Sequence, residues 1–422
     1  MKKTLLLFFF SAFAGLLAAQ SPRAEISKNV RCSAGNWLAY PGPTHHRLTA
    51  PPANYKPFFI SHYGSQGSRY HTMAGTYNAP YLTLARADSL GKLTALGRDV
   101  MNRLSRIRQD AHSHLGELTS LGIEQNRQIM TRMFERFPEV FVDGADIDAR
   151  SVTFVRCILS MEYALQQLAI LNPRLTLHHN ATQLDMNYLS PMERQLYNLK
   201  LDSVSQVRFN RFAVKYRQHD RLMRLLFNDM RYVHRQVDAD ALNSALFVVA
   251  GSIQSTDLRR QVTLYDLFTD HELYRNWQRE NVWWYLAFGN ASVNRGRPLA
   301  AHRRLLEQIV TNADSHIHKA KPGAALRFGH ETVVLPLACL LDINGCGLAT
   351  DDLNLLDRKG WVNYRISPAA CNIQLVFYRR SVDDPDILFK VLLNENEATL
   401  PLKPVDGPYY RWSDFKAYYL NP

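Results

Sequence analysis

Three places along the chain carry side chains that could hold a phosphate ester and act on it. Arg69 closes the loop Gly64-Ser65-Gln66-Gly67-Ser68. Arg156 follows the β-prone run Ser151-Val152-Thr153-Phe154-Val155. His330 and Glu331 follow a second short run, Leu326-Arg327-Phe328-Gly329. Two guanidiniums match the oxygens of a phosphate through forked, charge-assisted hydrogen bonds. A histidine adds a further donor, and a carboxylic acid beside them could protonate a leaving alcohol. An arginine by itself is most often a surface charge, and a His-Glu pair by itself is most often polar surface. What raises these above that level is that each stands where a strand gives way to a loop, the place where α/β proteins bind ligands.

The elements that must position them are legible in outline. Phe58 to Tyr63 reads as a strand ending at Gly64. From about Tyr81 to Phe137 the apolar residues fall at helical spacing, with Leu82, Ala85, Leu90, Leu93, Leu96 and Val100 on one face. A helix is expected from Thr119, which can cap it, to Phe137, where Pro138 stops it. A long, mostly helical stretch runs from roughly 158 to 320, and a helical run from Thr332 to Leu341 follows His330. Asn372–Arg379 and Ile387–Leu393 alternate as strands around a hairpin turn at 381–386. The division expected is a signal peptide over 1–19, an irregular arm over 20–55, an α/β core from 56–160 and 305–422, and an inserted, mainly helical domain over 161–304.

Composition bounds the function class. The chain has 422 residues, 46% hydrophobic and 21% charged, as a globular protein does. Lys2 and Lys3 precede an apolar run from Leu5 to Leu17, followed by Ala18 and Ala19. That is the layout of a signal peptide, too short to span a bilayer, which takes about 20 residues. Export to the periplasm, the medium or the cell surface is expected, with no membrane span. The formal net charge is +12, which favours acidic partners. The basic residues are scattered and form no nucleic-acid module, so nucleic acid is not expected. The five cysteines, Cys32, Cys157, Cys339, Cys346 and Cys371, have no metal spacing. Cys157 and Cys339 lie in apolar runs and read as buried thiols, while Cys32 or Cys346 could enter a disulfide. The pairs His112/His114, His178/His179 and His316/His318 lack further ligands at convincing spacing. No metal and no cofactor is expected. Trp277, Trp283 and Trp284 read as packing, and the arginines between Arg208 and Arg235 as a solvated helix face.

Four stretches resemble the histidine acid phosphatases, in particular the inositol polyphosphate phosphatases and phytases. His62 to Tyr70 resembles their Arg-His-Gly-x-Arg signature. Gly116-Glu117-Leu118-Thr119-Ser120-Leu121-Gly122 resembles their Gly-x-Leu-Thr-x-x-Gly box. Arg150 to Ser160 resembles the segment that supplies another phosphate-binding arginine, and Phe328-Gly329-His330-Glu331-Thr332 resembles the late histidine–acid motif. The order is that of the family, and the likeness spans roughly 58–160 and 326–342. The C-terminal strands and Pro408 to Trp412 add to it.

The resemblance implies a three-layer α/β core with a mixed central sheet, phosphoglycerate-mutase-like, plus an inserted α-helical domain. In that family a histidine attacks phosphorus and a phosphohistidine forms, dividing one hard step into two. Carried over by position, Arg69, Arg156 and His330 match the phosphate ligands and Glu331 the proton donor. Ser65 falls where the signature has its first arginine, and Gln66 where it has the nucleophilic histidine. A carboxamide nitrogen is no useful nucleophile, because its lone pair is delocalised into the carbonyl. His62, roughly 13 Å away along an extended strand, and His71, beyond the loop, are poor substitutes. The resemblance therefore implies a pocket for a phosphorylated small molecule, such as inositol hexakisphosphate, with hydrolysis lost or strongly impaired. Two alternatives stand beside it: an active phosphatase using another nucleophile, and a non-catalytic surface interaction protein. The sequence leaves the oligomeric state open.

Overall fold

The structure, a computed structural model, describes residues 21–191, 201–217 and 219–420. The expected signal peptide lies outside the described residues, as do two short stretches of the expected helical insertion.

Eight strands form one sheet. They are β1 (Lys56–Ser65), β2 (Asp146–Ser151), β3 (Thr176–Asn180), β4 (Gly323–Gly329), β5 (Asn372–Arg379), β6 (Leu388–Leu393), β7 (Asn396–Ala398) and β8 (Tyr410–Arg411). Their order is β3-β2-β4-β1-β5-β6-β7, with β8 paired to β6. β3, β2, β4 and β1 run parallel, whereas β5 is antiparallel to β1 and β6 to β5. The sheet is therefore mixed, and its direction changes at β1. β1 and β4 are buried along almost their whole length, as central strands covered on both faces are.

Helices cover both faces. On one side α4 (Ser120–Arg136) and α5 (Val155–Leu171) bring Ile129, Met133, Met161 and Leu165 against Ile60, Ile147, Ala149 and Leu326 of the strands. On the other, Val333 and Leu337 of the helix Glu331–Leu340 and Leu305 and Ile309 of the helix Arg303–Ile317 meet Phe59, Ala325, Leu375 and Phe377. The alternation of β1 sends Phe59 to one layer and Ile60 to the other. This is the three-layer α/β arrangement with a mixed central sheet that the sequence led us to expect.

A third apolar cluster contains no strand residue and is built mainly from helices. It joins α2 (Ala74–Ser89), α3 (Ala95–Ala111), the helices Asp220–Leu226 and Ala239–Ile253, and the first half of the helix Asp270–Phe288. Two boundaries differ from the sequence division. Leu84, Val100 and Leu104 of α2 and α3, inside 56–160, belong to this helical cluster. β3, inside 161–304, pairs with β2 in the sheet. The arm is also less irregular than expected. Pro22–Lys28 forms helix α1, capped by Ser21 with Pro22 in its first turn, and Val30–Trp37 winds as a 3₁₀ segment.

A further correction concerns Ser151 to Val155. The strand is Asp146–Ser151, and Val155 already begins α5. Ladder pairing with β4 ends at Ser151, so the β-prone Val152 and Thr153 form the exit from the sheet rather than its body. Arg156 consequently sits in the first turn of α5. All five cysteines are free thiols, so the disulfide considered for Cys32 or Cys346 is not formed.

Candidate functional site

Register sets the site. Tyr63, Gly64 and Ser65 of β1 lie level with Arg327, Phe328 and Gly329 of β4, and Ser151 of β2 lies level with Phe328. Three parallel strands thus end in one plane. The residues that follow them, Gln66, His330 and the start of α5, emerge together beside the strand where the sheet changes direction. Ligands of open α/β sheets bind at such a point.

The loop after β1 is held by its backbone. The Gln66 N–H donates to Gly329 O at 3.0 Å, its carbonyl accepts from Ala370 N at 3.0 Å, and Ser65 N donates to Cys371 O at 2.8 Å. Gln125 grips Ser68 twice, accepting from its N–H at 2.8 Å and donating to its Oγ at 3.1 Å. Ser160 Oγ accepts from Gly67 N at 3.4 Å. The loop also lies on the start of α4, where a Cβ on Gly67 would meet Gly122 O at 2.2 Å and one on Gly122 would meet Ser68 O at 2.1 Å. Only glycine at both positions permits that approach.

Four of the six expected residues meet directly. Gln66, 4% exposed, is the centre. Its Nε2 donates to Glu331 Oε2 at 2.6 Å. Its Oε1 lies 2.9 Å from His330 Nδ1 and accepts the Cys157 thiol at 3.4 Å. Arg69 Nη2 lies 3.6 Å from Glu331 Oε1, and Arg69 Nη1 donates to Tyr70 O at 3.1 Å. Arg156 stands one step back. Its guanidinium lies 4.8 Å from the centre of the Phe154 ring, and that ring meets the His330 ring edge-on at 4.9 Å. The Arg156 Nε is buried without a hydrogen bond among the described residues. Ser65 does not reach the pocket. It is buried at the strand end, where its Oγ donates to Gln66 O and accepts from Cys371 Sγ, both at 3.3 Å.

Charge is arranged unevenly. Burial, with Arg156 adding to it, pushes the His330 imidazole down to about 3, so the ring is neutral near pH 7. Facing a carbonyl oxygen, its Nδ1 carries the proton and Nε2 keeps a lone pair. Burial raises the Glu331 carboxyl, but Arg69, His330, its own backbone N–H and Gln66 together hold it below the usual carboxylate range. Burial lifts the Cys157 thiol to about 12, which makes it a poor nucleophile. The pocket at rest thus holds one carboxylate, two guanidiniums and a neutral histidine.

The two rival histidines stand apart. His62 points into the layer beneath β1, near Phe328, and His71 packs on Trp37 with ring centres 3.8 Å apart. Of the arginines of 208–235, Arg208 pairs with Asp351, Arg217 with Asp240 and Arg221 with Glu272. Trp277 and Trp284 are core residues. Among the described residues no three His, Cys, Asp or Glu side chains are placed to hold a metal ion, and no helix is long and apolar enough to cross a membrane.

Three participants were not found from the sequence. A cleft opens over Gln66, Gly67, Ser68, Arg69 and Glu331, and its remaining described lining is Asn36, Trp37, Ser255 and Ala369. Its cavity volume is about 20 Å³, roughly the room of one water. Trp37 lies under the Arg69 guanidinium at 4.6 Å. Trp37 and Ser255 carry no local motif, and only the fold brings them here; Cys157 is the neighbour of Arg156, but it read only as a buried thiol.

No protein-family model matches the chain, and no curated protein matches it in sequence. Solved structures do match in fold. A multiple inositol polyphosphate phosphatase of Bifidobacterium longum, in complex with phosphate, aligns with a TM-score of 0.77 at 15% identity, over 91% of this chain and 97% of that one. The same protein in complex with inositol hexasulfate gives 0.74 at 14% identity, over the same shares. The phytase from D. castellii gives 0.69 at 16% identity, over 99% of this chain and 90% of that one. The fold is that of the histidine acid phosphatases and phytases.

Proposed function

We propose that this chain is an exported pseudoenzyme of the inositol polyphosphate phosphatase kind, which binds a phosphorylated small molecule and has lost phosphohistidine chemistry. The observation that carries this is Gln66. Its side chain stands between His330 and Glu331 with both ends of the carboxamide hydrogen-bonded, and neither end offers an attacking lone pair. Where cooperating catalytic groups were removed in another hydrolase, the loss was on the order of a million-fold.

The anion-holding groups support retained binding. Arg69 and Arg156 supply positive charge, and the N-termini of α5 and of the helix Glu331–Leu340 open toward the same space, favouring negative charge there. One solved protein with this fold carries phosphate in one complex and inositol hexasulfate in another, which makes inositol hexakisphosphate and related esters the first ligands to try.

The test compares phosphate release from phytate and from an aryl phosphate by the natural protein and by the Ser65→Arg, Gln66→His double variant. Thermal stability is followed with and without inorganic phosphate. The proposal expects stabilisation that rises with ligand concentration, no turnover by the natural protein, and turnover by the double variant. Turnover by the natural protein that depends on Arg69 and Glu331 would establish an active phosphatase with another nucleophile. Stability indifferent to every phosphate tried would leave a scaffold used for surface interaction.

A further inference from the structure

A second cavity, of about 340 Å³, opens on the face of the sheet turned away from α4 and α5, and it shares no residue with the cleft over Gln66. Small-molecule sites begin at about 300 Å³. The alternation of β2 lines this cavity. Ile147 and Ala149 pack toward α4 and α5, so Asp146, Asp148 and Arg150 face the other way. Arg327 of β4 stands level with Arg150, and His178 of β3 level with Asp148. Lys319 and His316, whose ring stacks on Phe59 at 4.3 Å, close the side.

The charges inside are of both signs and are incompletely matched. Asp148 is fully engaged: its Oδ2 accepts from Arg327 Nη2 at 2.8 Å and its Oδ1 from Arg150 Nε at 3.0 Å. Two guanidiniums thus share one carboxylate. Asp146 is not engaged in the same way. Lys319 Nζ lies 3.6 Å from its Oδ2, beyond a hydrogen bond, and its Oδ1 has no hydrogen-bond partner among the described residues, although His178 is near. Arg327 Nε and His316 Nε2, on the same lining, are buried and equally without partners among the described residues. Such atoms are few in folded proteins and costly. The groups a ligand would touch are open: the side chains of Asp146 and Arg150 are 35% and 32% exposed, and that of Lys319 49%.

The free groups prescribe the ligand. One carboxylate, Asp146, and two cations, Lys319 and Arg150, call for one ammonium and two carboxylates. The lining's Asp, Arg and Lys side chains carry one positive charge in excess, which a ligand of net charge −1 cancels. The Arg150 head is held over Asp148, two residues from Asp146, so the two ends of the site lie roughly 7 Å apart along the strand. We propose that this cavity binds a free acidic amino acid. Its α-ammonium lies on Asp146, its α-carboxylate on Lys319, and its side-chain carboxylate on Arg150. The site stands on its own groups and does not depend on the anion pocket at the strand ends.

The test is calorimetric titration with L-glutamate, with L-glutamine, which lacks the side-chain charge, and with glutarate, which lacks the ammonium. The natural protein should bind glutamate about tenfold or more tightly than either relative. Arg150→Gln should weaken glutamate about tenfold and leave glutamine unchanged, whereas Asp146→Asn should weaken glutamate by a similar factor and leave glutarate unchanged. A thermal melt checks that each variant folds. Should either fail to fold, Lys319→Gln, at a half-exposed position, takes its place and should weaken glutamate and glutamine alike. No binding of glutamate at millimolar concentration overturns the proposal. Glutarate binding as tightly as glutamate would make this a plain anion site and overturns it too, as do variants whose glutamate affinity equals that of the natural protein.

Discussion

At the scale of single residues the site is set against the ligand it would hold. Glu331 is ionised and sits 3.6 Å from the Arg69 guanidinium, where an incoming anion would meet like charge. His330 presents a lone pair at Nε2, not a donor. Anion binding should therefore take up a proton, on Glu331 or on His330. Both groups are depressed in the empty site, His330 to about 3, so over ordinary pH the empty site lacks that proton and the occupied site gains it. Affinity for sulfate, whose own charge is constant over this range, should fall as pH rises from about 5 to about 8. Glu331→Gln should bind sulfate about tenfold more tightly near neutral pH, since it removes a negative charge a few ångströms from the ligand. Calorimetry of both proteins at several pH values checks this, and a pH-independent affinity in the natural protein would contradict it. His330, Glu331 and Arg69 were legible in the sequence because each lies within a few residues of a strand end. Trp37 and Ser255 were not, because the arm and a distant helix bring them in.

At the scale of elements, the approach of the β1 loop to α4 is the joint on which the site depends. Thr119 is the N-cap of α4, accepting from Gly122 N at 3.1 Å, and its hydroxyl also lies 3.2 Å from Ser68 O. Thr119→Ala should cost about 1 to 2 kcal/mol of stability. Gly122→Ala should cost more, about 3 kcal/mol or above, because its Cβ would meet backbone Ser68 O at 2.1 Å and neither backbone segment can yield without moving Arg69. Urea unfolding gives both values, and a near-neutral Gly122→Ala would show that the loop is not held there. The α4 cap was readable from Thr119 and Pro138, since capping is local chemistry. β2 was misplaced because its half-buried charged positions, Asp146, Asp148 and Arg150, hide a strand whose alternate residues Ile147 and Ala149 are buried, while the β-branched pair just beyond it reads more strongly. The helical membership of α2 and α3 was invisible for another reason. Amphipathic spacing shows that a helix has an apolar face, not which layer that face meets.

At the scale of the whole molecule, the buried histidines set an acid limit on the fold. Burial holds His62 and His71 at about 3, and His302 and His316 at about 4. In the unfolded chain each titrates near 6.5. Between those values the unfolded state binds protons that the folded state refuses, so stability rises with pH through this window and is lost on acidification. The destabilisation is absent above about 6.5 and grows as pH falls toward 3 to 4. At about pH 5, His62 and His71 should each weaken the fold by on the order of 2 kcal/mol relative to neutrality, and the chain's net positive charge of +12 adds repulsion in the same direction. Urea midpoints at about pH 7 and about pH 5 measure the sum. His62→Leu isolates one contribution, because His62 has no hydrogen-bond partner at Nδ1 among the described residues and lies against the Phe328 ring. That variant should keep about 2 kcal/mol more of its neutral-pH stability at about pH 5 than the natural protein does. Equal losses in the two proteins would mean that His62 takes up its proton in the fold as readily as in the unfolded chain, leaving His71, His302 and His316 to account for the acid limit.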